Sequence, residues 1–221
     1  PVYYRARTGL IALENTHNMA GGTVLRVRQL DRIVTGARER GLPVHLDGAR
    51  IFNAATALGE TVARLTRDCD SVMFCLSKGL CAPAGSLLLG SREFIEEAWR
   101  VRKMLGGGMR QVGVLAAAGL VALEQMPARL AEDHENARLL AEGLADIPGF
   151  RIDLSTVETN IVIADLEGPT SAELLPRLEE AEIRAVPTGL RQLRFVTHRE
   201  IRSTDVEAAL TAIRSILSKR A

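Results

Sequence analysis

Three short apolar runs, each closing on a polar residue and separated from the next by helix-sized stretches, constrain the fold of this 221-residue chain most. Leu10 to Glu14 reads as a buried strand, Pro43 to Leu46 as a second that runs into Asp47, and Ser71 to Leu76 as a third that runs into Ser77-Lys78-Gly79. Between the first two, Arg26 to Arg40 reads as a helix with Val27, Leu30, Ile33, Val34 and Ala37 on one face. Phe52 to Leu58 and Thr61 to Thr66 are shorter helical segments, and Gly85 to Leu89 supplies a fourth strand. This alternation predicts an α/β fold with a mostly parallel sheet, because parallel neighbours require a crossover and a helix is the usual one.

After Gly90 the pattern changes. Arg92 to Lys103 reads as a helix, Gly106-Gly107-Gly108 breaks it, and Val112 to Glu124 is a helix of small residues suited to close packing. Pro127 is placed as a first helical residue, followed by an amphipathic run from Ala128 to Leu144 and a stop at Pro148-Gly149. Strands at Asn160 to Ala164 and Leu193 to Thr197, with helices at Ser171 to Glu180 and Asp205 to Leu217, make the tail a small α+β domain. The boundary falls near Met126, giving domains 1–126 and 127–221. Because the first strand has no element before it, the expectation is that the chain begins inside a domain.

Composition narrows the partners. At 47% hydrophobic and 25% charged, the chain can bury a sizeable core. Its 28 Lys and Arg against 27 Asp and Glu leave a net charge of +1, which gives no electrostatic reason for nucleic acid or an anionic membrane and suits a small neutral or zwitterionic ligand. The apolar runs are strand-sized, short of the roughly 20 residues of a bilayer helix. Pro1-Val2-Tyr3-Tyr4-Arg5 lacks signal-peptide form, so a cytoplasmic location is expected. Cys69, Cys75 and Cys81 match neither a metal knuckle nor a disulfide framework, and read as reduced, mostly buried small apolar residues; no metal is expected.

A lysine after a buried strand is ordinarily a turn residue whose ammonium reaches solvent. The functional alternative is an amine held at the carboxyl edge of the sheet, where ligands bind in open α/β folds, and able to form a Schiff base with an aldehyde. Asp47 occupies the same edge of the preceding strand. A carboxylate there either caps the helix that follows or pairs with a cation, and the ring nitrogen of pyridoxal phosphate is such a cation. Arg50 is suited to two-pronged bonding of a substrate carboxylate, or to a structural ion pair.

ENTHN (Glu14 to Asn18), HLDGARIFNA (His45 to Ala54), CLSKGL (Cys75 to Leu80), MLGGGMRQ (Met104 to Gln111), EDHENAR (Glu132 to Arg138) and LRFVTH (Leu193 to His198) together resemble the low-specificity L-threonine aldolases. The resemblance runs the length of the chain. It implies a fold-type-I pyridoxal-phosphate enzyme of aspartate-aminotransferase-like architecture, with a partial large domain and a small C-terminal domain. It also implies Lys78 as the lysine bonded to the cofactor, Asp47 as partner of the ring nitrogen, and Arg50 and Arg194 as holders of the substrate carboxylate, Arg50 also beside the cofactor. Lys103 and Arg110 would lie near the cofactor or a neighbouring subunit's site; their plain alternative is a solvated helix end. His17 either faces the site or stabilises a turn. Tyr4 stands where the family usually has a histidine, and a phenol is a poor base at neutral pH. Family members carry a Ser-Gly-Thr phosphate loop and a ring-stacking residue before the first strand; neither is found here, so the expectation is either a C-terminal fragment or split piece with a separate N-terminal segment as partner, or a sequence that omits part of the protein. The family also implies a homo-oligomer, a dimer of dimers.

The expected activity is cleavage of L-threonine, L-allo-threonine and related β-hydroxy-α-amino acids to glycine and an aldehyde. The rivals are another enzyme of the same fold, a β-eliminating lyase or an aminotransferase, since the lysine and aspartate serve any of these. A third is a non-catalytic oligomerisation domain. Ser86 or Cys81 as a nucleophile lacks a histidine in a convincing context.

Overall fold

The computed structural model describes residues 3–218; Pro1 and Val2, which begin the stretch judged unlike a signal peptide, lie outside the described residues. The chain forms two compact units. The first comprises the residues up to Thr16 together with Leu25–Pro127, and the second His17–Val24 together with the residues from Ala128 on. The short segment His17–Val24 thus packs with the second unit although it falls early in the chain.

In the first unit the chain runs through β1 (Ile11–Glu14), α1 (Val27–Arg38), β2 (Val44–Asp47), α2 (Ile51–Leu58), α3 (Val62–Thr66), β3 (Ser71–Cys75), β4 (Ser86–Gly90), α4 (Arg92–Met104) and α5 (Gly113–Gln125). The sheet order is β1-β2-β3-β4, with β1–β2 and β2–β3 parallel and β3–β4 antiparallel. The antiparallel turn follows from length: residues 76–85 hold no helix to carry the chain across, so it folds back as a hairpin. α1 turns Leu30, Val34 and Ala37 inward, and Val34 and Ala37 pack on Val44 of β2. The Thr61 hydroxyl accepts the amide of Arg64 to begin α3, and the Ser91 hydroxyl accepts that of Phe94 to begin α4. Gly59, left-handed at φ 62°, ends α2.

Two clamps hold β2 against β3. At the start, the Asp70 carboxylate accepts the Val44 amide at 2.7 Å while the Asp70 amide donates to the Val44 carbonyl at 2.9 Å. At the end, the Gly48 amide donates to the Met73 carbonyl at 2.8 Å. A Cβ at position 48 would lie 2.9 Å from that same oxygen, so only glycine fits. Beyond β3 large apolar side chains are exposed among charged ones: all of β4 is exposed, α4 buries no residue, α5 buries only Gly119 and Ala122, and Trp99, Met104, Leu105 and Leu120 are exposed.

The second unit contains α6 (Leu130–Ala145), β5 (Phe150–Arg151), β6 (Ile161–Leu166), α7 (Ser171–Glu180), β7 (Val186–Gly189), β8 (Gln192–Val196) and α8 (Ser203–Ser218), with an antiparallel sheet ordered β5-β6-β8-β7. Its core joins Leu140, Ala141 and Leu144 of α6, Val162 and Ala164 of β6, Leu174 and Leu178 of α7, and Leu210 and Ile213 of α8. β5 and β7 escape the sequence pattern. β5 has only two residues, too few to show a period, and β7 contains Pro187 and a register shift before Gly189.

Several residues of the family-like motifs serve this packing. Asp133 is fully buried on α6 and takes both prongs of the Arg129 guanidinium, at 2.6 and 3.1 Å. The Asp133 carbonyl accepts the Thr197 hydroxyl at 2.6 Å, Asn160 donates to the Thr197 carbonyl at 2.9 Å, and Asn136 donates to the Ile201 carbonyl at 2.8 Å. His134 is half-buried, and burial holds its imidazole below the ordinary range against the opposing charge of Asp133. Asp133→Ala removes the two-pronged partner of a partly buried guanidinium and leaves it only the contact to Glu132 at 3.2 Å, so it is expected to cost roughly 1–3 kcal/mol, read as a lowered midpoint in urea unfolding. An unchanged midpoint would refute this role.

Candidate active site

The parallel register brings the carboxyl ends of β1 and β2 level. Glu14 faces Asp47 across the first pairing, and Asp47 faces Met73 across the second, so Asp47 ends its strand two residues before β3 ends at Cys75. In β2, Val44 and Leu46 are buried while His45 and Asp47 are half-buried, the alternation of a strand with one apolar face. Asp47 therefore emerges at the edge of the sheet. Its Oδ1 accepts the Ala49 amide at 2.9 Å, and its Oδ2 has no partner among the described residues. The helix-capping alternative is thus partly realised, with one carboxylate oxygen left over.

Lys78 lies in the β3–β4 loop. Leu76, Leu80 and Ala82 are buried, the Leu76 amide donates to the Gly85 carbonyl, and the Ala82 amide donates to the Leu76 carbonyl. These anchors leave Ser77 and Lys78 exposed. The Lys78 carbonyl accepts the Cys81 amide at 2.9 Å, which closes the loop beneath the side chain, and Cys81 takes the left-handed φ of 61° that this turn demands. Gly85, at φ 121°, makes the return into β4. Arg50 is the N-terminal capping residue of α2, and its carbonyl accepts the amides of Asn53 and Ala54. The first unit thus gathers Asp47, Arg50 and Lys78 at the carboxyl ends of adjacent strands β2 and β3.

Arg194 belongs to the second unit, on β8 between Ile163 of β6 and Val186 of β7. Its Nη1 donates to Oδ1 of Asn18 at 2.9 Å, and its buried Nε has no partner among the described residues. Asn18 carried no assigned role in the sequence reading. The two residues stand 176 positions apart, and no local pattern announces such a pairing. His17 stabilises a turn, its Nδ1 accepting the Ala20 amide at 3.1 Å and its backbone bridging Thr23. Tyr4 is exposed in the N-terminal stretch with its ring edge-on to Tyr3. Lys103 is exposed in the last turn of α4 and Arg110 in the following loop, and a Cβ on Gly108 would lie 3.2 Å from the Lys103 Cδ.

The cysteines divide. Burial, then the charges of Asp70 and Asp68, push the Cys69 thiol up to about 11, whereas Cys81 is exposed, contrary to the expectation of a buried residue. Alkylation with iodoacetamide at pH 8, followed by peptide mass mapping, is expected to label Cys81 first and Cys69 last, because the half-buried Cys69 stays protonated. Faster labelling of Cys69 would contradict the burial described.

The model of the family described as "Beta-eliminating lyase" matches residues 1–167. Low-specificity L-threonine aldolase 1 of Arabidopsis thaliana is 45% identical over 95% of this chain and 60% of its own length. The low specificity L-threonine aldolase of Escherichia coli K12 is 43% identical over 97% of this chain and 62% of its own length. The chain therefore spans about 60% of the length of the curated relatives it matches. Among solved structures, a putative L-allo-threonine aldolase from Listeria monocytogenes superposes with a TM-score of 0.81 at 21% identity, covering 97% of this chain and 63% of that one. A threonine aldolase from Leishmania major superposes at 0.73 with 20% identity, covering 94% and 61%. The fold is that of the fold-type-I pyridoxal-phosphate enzymes: a mostly parallel mixed sheet followed by an antiparallel one.

Proposed function

The chain belongs to the β-eliminating lyase family, and on that premise we propose that it acts as a pyridoxal-phosphate-dependent carbon–carbon lyase, cleaving L-threonine, L-allo-threonine and related β-hydroxy-α-amino acids to glycine and an aldehyde. The observation that carries this reading is the placement of Asp47 and Lys78 at the carboxyl ends of adjacent strands, one with a spare carboxylate oxygen and the other with an exposed amine.

These residues fit the ring end of the cofactor. Asp47 Oδ2 is an acceptor at the sheet edge, suited to the ring N–H, and the Ala49 amide on Oδ1 fixes the carboxylate plane. Lys78 offers the primary amine that would hold the cofactor through its aldehyde, and its loop is anchored by Leu76 and Leu80. When bound, the cofactor supplies an electron sink for the pair released at the α-carbon. Arg50 and Arg194 take the substrate carboxylate, and fixing that group selects which bond at the α-carbon is aligned for cleavage. In the reaction the Cα–Cβ bond breaks, the β-hydroxyl gives up its proton as the aldehyde forms, and the α-carbon takes one up to become glycine. Lys103 and Arg110 lie beside this site in the same reading.

In this reading 1–126 is the cofactor domain and 127–221 the small domain, although the segment His17–Val24 packs with the second unit and Pro127 with the first. Among the described residues no single helix is long and apolar enough to cross a membrane, and we place the protein in the cytoplasm. The exposed apolar surface of β4, α4 and α5 supports assembly into a homo-oligomer. Sedimentation velocity of the complete protein is expected to show a species larger than one chain, and a strictly monomeric protein would remove that part of the reading.

The family's name keeps β-elimination in view, and the products separate the two. The holoprotein given L-threonine is expected to release acetaldehyde and glycine, whereas β-elimination yields ammonia and a 2-oxo acid. Lys78→Ala is expected to abolish both cleavage and borohydride-trapped cofactor, and Asp47→Asn to slow turnover by on the order of a hundredfold or more while cofactor binding partly persists. Trapping at another lysine would remove Lys78 from the mechanism, and an unchanged turnover number would remove Asp47.

A further inference from the structure

The guanidinium of Arg194 is held by one edge only. Nη1, the nitrogen on the Cδ side, donates to Asn18 Oδ1 at 2.9 Å. The opposite edge, where Nε–H and one Nη2–H point the same way, is the edge that receives a carboxylate in two-pronged fashion. Its Nε is buried with no partner among the described residues. A buried donor left unpaired is costly, and a ligand carboxylate would satisfy it.

Asn18 is itself fixed. It opens the 3₁₀ turn Asn18–Ala20, which His17 Nδ1 caps and left-handed Gly21 ends. The loop then lies on β6: a Cβ on Gly21 would stand 3.2 Å from the Ile163 side chain, and one on Gly22 2.4 Å from Thr159 Oγ1. Thr159 Oγ1 donates to the Gly22 carbonyl at 2.8 Å, and Glu158 accepts the Val24 amide at 2.6 Å. Ile163 is the register partner of Arg194. The glycines let the loop sit close enough over that strand pair for Asn18 to reach the guanidinium.

We infer that Asn18 is a positioning residue: its side-chain carbonyl occupies the Nη1 edge of Arg194 and so presents the Nε–Nη2 edge to the α-carboxylate of the amino-acid substrate. An unheld arginine side chain samples many rotamers, and Asn18 removes that freedom before the ligand arrives. The inference rests on the reading of Arg194 as a carboxylate binder.

The test uses the complete pyridoxal-phosphate-loaded protein and calorimetric dissociation constants for glycine, with cofactor affinity measured separately and thermal midpoints as a control. Asn18→Ala is expected to weaken glycine binding about tenfold with cofactor affinity unchanged. Asn18→Asp keeps the shape and the acceptor but adds a charge that competes with the ligand carboxylate, and is expected to weaken glycine more than Asn18→Ala does. In an Arg194→Ala background, Asn18→Ala is expected to add nothing. Should Arg194→Ala itself fail to weaken glycine selectively, the carboxylate reading falls and this inference with it. If Arg194→Ala is selective but Asn18→Ala leaves glycine binding intact, or lowers glycine and cofactor affinity alike, the positioning role alone is overturned.

Discussion

The register of β2 against β3 is the constraint on which the candidate site depends. Side chains alternate along a strand, so a slip of one residue would turn Asp47 to the opposite face and bring Leu46 to the edge. Asp70 fixes that register from the start of the strands by engaging both the amide and the carbonyl of Val44. Gly48 fixes it from the end, where the absence of a Cβ lets its amide reach the Met73 carbonyl. Neither residue carries chemistry, yet between them they decide where Asp47 emerges and how far β3 runs before the loop of Lys78.

The family-like motifs divide by physical task. HLDGARIFNA and CLSKGL supply sheet-edge groups with polar atoms to spare: the second oxygen of Asp47 and the exposed amine of Lys78. EDHENAR, together with Thr197 of LRFVTH, supplies packing and polar closure, since Asp133 and Asn136 are buried and hydrogen-bonded within the second unit. The Asp133–Arg129 pair is costly to break because removing the arginine leaves the fully buried Asp133 carboxylate without its two-pronged partner. ENTHN does both. Asn15 pins its neighbour segment by exchanging hydrogen bonds with the Leu25 backbone, at 3.1 and 3.2 Å, and His17 caps the turn that carries Asn18.

Much of the fold was legible in the chain. Period-two and period-3.6 patterns located α1, β2, α7 and α8 closely, because each buries one face and exposes the other. β5 and β7 were not legible, being an edge pair of two and four residues whose pairing comes from the central strands beside them. The antiparallel direction of β4 was not legible either, because an apolar run reads the same in either direction. The exposure of Cys81 ran against its residue type, since a turn with left-handed φ placed it outside the core.

The sequence by itself determined the α/β class, the two-part organisation of the elements and the residue types at the strand ends, because these follow from local periodicity and from breakers such as Gly106 to Gly108. It also held the motifs that tie the chain to its family. Tertiary structure alone decided which oxygen of Asp47 is spare, that Lys78 rises from a loop anchored at Leu76 and Leu80, and that Asn18 grips Arg194 across 176 positions. Such facts depend on the distance between groups far apart in the chain. That distance is set by sheet register and by glycine contacts, and no local pattern encodes it.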